Sequence, residues 1–147
     1  LIVEEEGEDL WSIPCFCKVR TLENGLRKHN QVVFTKPNHK PYQPEIFPLG
    51  TWKVGKPLPR STDEIFPYFI PTDAFKMVKV WEVHEGVYVR ETDEEDKDEA
   101  YGIHSSIYRT SLGCIVIIKP QDCANLAVRI EQALKRNEEV ILEVTET

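Results

Sequence analysis

"YGIHSSIYRTSLGCIVI", Tyr101 to Ile117, sets two short apolar runs around a polar centre. "YGIHSS" and "CIVIIK" have the length and β-branched content of buried strands, and the polar "IYRTSLG" between them reads as a connection. Pro120 brings no backbone N–H to a ladder, so the second strand ends there. Beyond it, Leu126, Ala127, Ile130, Ala133 and Leu134 recur on one face at helical spacing, which predicts a helix from Cys123 to about Arg136 capped by Asp122. "EEVILEVTE" then reads as a last strand, with Val140, Leu142 and Val144 alternating against more polar neighbours.

Toward the N-terminus, "FKMVKVWEVHEGVYVRET" (75–92) predicts two strands joined by a tight turn at His84-Glu85-Gly86. The acidic "ETDEEDKDEA" at its end lacks the glycine and ligand spacing of a calcium loop and is expected to be a solvated loop. Prolines punctuate "PLPRSTDEIFPYFIPTDA", so that segment is expected to have little regular structure, its Phe66, Tyr68 and Phe69 either packing over the core or lining a groove. "GTWKVGK" and "QVVFTK" read as short strands, and "PNHKPYQPEIFPL" as an extended loop. "DLWSIPCFCKVRTL" reads as a strand running into a turn at "ENG". With no internal repeat and no linker, residues 1–147 are expected to form one domain, mainly β with a single C-terminal helix packed on it.

Composition narrows the function classes. A chain of 147 residues buries about two-thirds of its unfolded surface, enough for a core without a covalent staple. Hydrophobic residues at 41% and charged residues at 29% are ordinary for a globular protein, and no apolar run approaches the roughly 20 residues that span a bilayer. The net charge of -7, with no concentrated basic stripe, argues against nucleic acid as partner. "LIVEEEGEDLW" shows none of the basic and apolar pattern of a secretion signal. Cys15 and Cys17 are too close for C-x-x-C chemistry, whereas Cys114 and Cys123 are open to bridging in an oxidising compartment.

His104 and Cys114 carry the candidate chemistry. A thiol becomes a good nucleophile as thiolate, and a neighbouring imidazole with backbone donors at a turn lowers its pKa. Gly113 allows the tight backbone that would aim two amide N–H groups at a developing oxyanion. Ser111 is placed to orient either partner by hydrogen bond. His29, His39, His84 and His104 with the four cysteines include no pair at metal-ligand spacing, so no metal site is expected.

This order of residues, His104, a loop, then "SLGCIVI", a proline stop, a helix and a final strand, resembles the L,D-transpeptidase catalytic domain. That family's motif runs His, a loop, Ser/Thr-His-Gly-Cys, one aliphatic residue and Arg. "PLGTWKVGKP" resembles the family's "TPxG" strand, and the likeness extends over roughly residues 30 to 145, with only the segment around Cys114 specific. The resemblance implies a β-sandwich with a cleft and Cys114 as acyl acceptor. It implies His104 as base, Ser111 in support, and oxyanion donors from Gly113 and Cys114. Arg109, Tyr108 and Ser105 are then the expected substrate contacts.

The substrates implied are peptidoglycan stem peptides, with no cofactor, in the extracytoplasmic cell envelope or on a virion. The chain departs from the motif at Leu112, where the family has His, and at Val116, where it has Arg; its His-to-Cys loop is also shorter. These departures keep open a second expectation, a binding module with the same fold but impaired chemistry.

Overall fold

The computed structural model describes residues 1–5, 8–16, 38–39, 47–107 and 114–145. The protein is mainly β with one helix near the C-terminus, its strands divided among several small sheets. In chain order these are β1 (Ile2–Glu5), β2 (Glu8–Ser12), β3 (Cys15–Phe16), β4 (Gly50–Lys53), β5 (Leu58–Pro59), β6 (Phe66–Pro71), β7 (Lys76–His84), β8 (Val87–Asp98), β9 (Gly102–Ser105), β10 (Ile115–Ile117), helix α1 (Pro120–Lys135) and β11 (Ile141–Val144).

The central sheet has five strands in the order β3-β10-β9-β6-β5. Two of its inner strands, β9 and β10, are the apolar runs of the opening stretch, buried at every position. They run parallel, with Ile115 opposite Ile103, Val116 opposite His104 and Ile117 opposite Ser105. Successive side chains on a strand point to opposite faces. Ile103, Ile115 and Ile117 therefore share one face and join Ile70 of β6 in the core with Cys123, Leu126, Ala127 and Ile130 of α1. His104 and Val116 share the other.

Helix α1 starts at Pro120, with Lys119 as an extended cap residue that makes no side-chain cap bond. The expected cap at Asp122 is thus corrected. Proline is pre-organised for the first helical position and forces an extended residue before it. Asp122 instead stands in the first turn, where its charge suits the positive end of the helix. The helix ends in a Schellman motif: the Glu138 N–H donates to the Ala133 carbonyl at 3.0 Å and the Asn137 N–H to the Leu134 carbonyl at 3.0 Å, with Asn137 left-handed at φ 58°.

Strands β7 and β8 form the expected hairpin, and its turn residues Glu85 (φ 51°) and Gly86 (φ 79°) both take the positive φ of a primed turn. Two loop expectations are corrected. The acidic run is strand, the second half of β8, where Lys79 faces Glu95 across the ladder and pairs with it at 3.2 Å. "PLPRSTDEIFPYFIPTDA" supplies β5 and β6. Its prolines fall where acceptors are needed: the Pro67 carbonyl takes the Arg60 N–H at 2.9 Å and the Pro71 carbonyl takes the Gly55 N–H at 2.8 Å.

Elsewhere "GTWKVGK" forms β4, paired antiparallel with β11, and the N-terminal segment divides into β2 and β3 on either side of Ile13 and Pro14. The strand expected at "QVVFTK", the turn at "ENG", Cys17 and Tyr42 lie outside the described residues. No helix is long and apolar enough to cross a membrane among those described.

Candidate functional site

His104 is the third residue of β9 and only 5% exposed. Its Nδ1 lies 2.8 Å from the carbonyl oxygen of Ser105. A carbonyl can only accept, so Nδ1 carries the proton and donates, leaving Nε2 as the basic nitrogen. Burial holds the His104 imidazole below its ordinary pKa of 6.5, against the smaller opposing pull of the Ser105 carbonyl. The ring is consequently kept neutral, the form that accepts a proton.

Cys114, half-buried, immediately precedes β10. Continuing the observed register by one residue sets it opposite Gly102, on the face that carries His104 and Val116. Adjacent strands are about 4.8 Å apart. The imidazole stands one diagonal step away on the neighbouring strand. The Cys114 thiol also points to the Ala100 carbonyl at 3.9 Å, the long limit for a sulfur donor. Ala100 itself is left-handed at φ 77°, an uncommon conformation for a residue with a side chain.

The other expected site residues are placed differently. Ser105 is fully buried and its hydroxyl donates to the Ile117 carbonyl at 2.8 Å, tying β9 to β10. What Ser105 offers His104 is its backbone carbonyl. No residue type announces such a contact, so only the position directly after the histidine could have suggested it. Ser111, Gly113, Arg109, Tyr108 and Leu112 lie outside the described residues. Cys114 and Cys123 are not bridged to each other, and Cys123 lies on the buried side of α1, where burial pushes its thiol up in pKa. Among the described residues no group of three His, Cys, Asp or Glu side chains could hold a metal ion.

Chemically the face offers a thiol, an imidazole with its tautomer set, and backbone carbonyl acceptors. It also has a consequence for stability. A histidine whose folded pKa lies below its unfolded value adds stability that is fully present above 6.5 and is lost as pH falls through the folded pKa, because the unfolded chain then binds the extra proton. Urea midpoints are expected to decline from pH 7 to pH 5 in the native chain and to decline less in His104→Gln; identical declines would remove His104 as the cause. No family model matches the chain, and neither a curated protein nor a solved structure matches it.

Proposed function

We propose that the protein is a cysteine acyltransferase or peptidase of the L,D-transpeptidase type, acting on peptidoglycan stem peptides within a β-sandwich of that family's kind. The observation that carries this reading is the parallel pairing of β9 and β10, with Cys114 and His104 on one face and the His104 Nδ1–H held by the Ser105 carbonyl.

In this mechanism the Cys114 proton passes to Nε2 of His104, and the thiolate attacks an amide carbonyl next to a D-centre. The backbone N–H groups of Gly113 and Cys114 receive the negative charge on the carbonyl oxygen. The C–N bond then breaks, the imidazolium protonates the departing amine, and a thioester on Cys114 remains. An amine or water, deprotonated by His104, attacks that thioester; the C–S bond breaks and the thiol regains its proton. With an amine the product is a cross-link, with water a trimmed peptide.

A binding module without turnover is the second reading. Val116, 1% exposed and directly opposite His104, favours it, because it puts an aliphatic side chain where the family motif carries a cation. Incubation with a synthetic stem peptide followed by mass spectrometry separates the two. The enzyme reading expects an acyl adduct on the peptide containing Cys114, with release of the leaving amino acid, and neither in Cys114→Ser. Saturable binding of the same peptide with no adduct and no product would instead establish the module.

A further inference from the structure

Phe69 stands on β6, the neighbour of β9. Tyr68 and Ile70 on either side of it pack into the core under α1, so alternation turns Phe69 to the face that carries His104. Its ring sits where any side chain at position 102 would have to go: a β-carbon on Gly102 would lie 2.5 Å from Cζ and 2.7 Å from Cε2 of Phe69, and 2.6 Å from the Ile70 carbonyl oxygen. The same ring faces the imidazole, with centroids 6.2 Å apart and planes inclined by 35°.

We infer that Phe69 is a positioning residue for His104, its ring resting over Gly102 so as to wall the imidazole and fix the plane in which Nε2 acts. The Ser105 carbonyl holds the imidazole at a single atom, which sets the tautomer but leaves the ring free to tilt about that bond. A flat wall on the ring's side removes the tilt. The wall also excludes water from one side of the imidazole, in keeping with the burial that disfavours its protonated form.

Among the described residues the neighbouring strands and helix offer few other groups to account for that effect. On β6 the titratable group is Tyr68, turned to the opposite face, and α1 presents Cys123 to that same opposite face. Just before β10, the titratable group on the face of the imidazole is Cys114. Glycine at 102 leaves room both for the ring and for the Ile70 carbonyl.

The inference rests on the proposed function only in taking His104 as the base, and its test is read without turnover. In the full chain, the His104 imidazole is titrated by NMR, its resonance assigned by loss in His104→Gln. The native inflection is expected below 6.5. It is expected to move up toward that value in Phe69→Leu, which keeps an apolar side chain in the strand but removes the flat wall. The rate of Cys114 alkylation at pH 6 should fall several-fold in that variant.

A folded Phe69→Leu whose His104 titrates as in the native chain overturns the inference, whatever Cys114 does. Conversely, a titration that moves while Cys114 never forms an acyl adduct upholds Phe69 as the wall and removes the acyltransferase.

Discussion

Under the proposed mechanism, replacing His104 with Ala is expected to lower turnover of a stem peptide by on the order of 10²–10⁴, the usual contribution of a positioned general base. Two features make the effect large. The Nδ1–H bond to the Ser105 carbonyl leaves a single nitrogen to act as base, and burial keeps that nitrogen unprotonated. Among the described residues no other imidazole lies on this face: His84 is exposed at the hairpin tip and His39 is buried beside Asp96, 3.5 Å away. The check is the rate of Cys114 alkylation against pH, with the modified peptide identified by mass spectrometry. The native inflection should lie well below the roughly 8.5 of a free thiol and rise toward it in His104→Ala. Equal rates and equal inflections in the two proteins would end the idea of a nucleophile and its base.

Ile117→Ala is expected to cost roughly 2–5 kcal/mol of stability, as a fully buried isoleucine reduced to alanine leaves a cavity that the surroundings fill only in part. Ile117 lies in the core beneath α1, and its carbonyl accepts the Ser105 hydroxyl. Collapse of the cavity would therefore move the strand that follows Cys114. At roughly 2–4 °C per kcal/mol for a chain of this size, the melting temperature should fall visibly. Val128→Ala, on the exposed side of the same helix, is the control and should stay within about 0.5 kcal/mol. Equal melting of Ile117→Ala and Val128→Ala would mean that β10 does not pack as described.

The elements legible in the sequence were those whose signal lies within the element itself. Apolar spacing from Leu126 to Leu134 marks α1, and β-branched runs around Glu85-Gly86 mark the hairpin. "IVI" between Cys114 and Pro120 marks a buried strand. What stayed hidden depends on a partner. β6 looks like a loop because Pro67 and Pro71 are poor strand formers, yet a strand needs N–H donors only where its neighbour presents acceptors. The acidic half of β8 looks solvated because Asp, Glu and Lys are poor strand formers, yet Lys76 and Lys79 of β7 stand opposite its Asp98 and Glu95 across the ladder. At the site, His104 and Cys114 stand out by residue type, whereas the Ser105 contact is made by backbone and the Phe69 wall depends on which strand lies next to β9.

The register of β9 against β10 ties reactivity to completed folding. A slip of one residue would turn His104 under α1 and bring Ile103 to the other face. The slip is opposed by Ile103, Ile115 and Ile117, which lose their places in the core if it occurs. Residues with no chemistry of their own thus act as a proofreading key for those that have it. In an unfolded or misassembled chain the thiol and the imidazole are strangers, separated by ten positions of sequence. The two side chains come to share a face only once the sheet has closed.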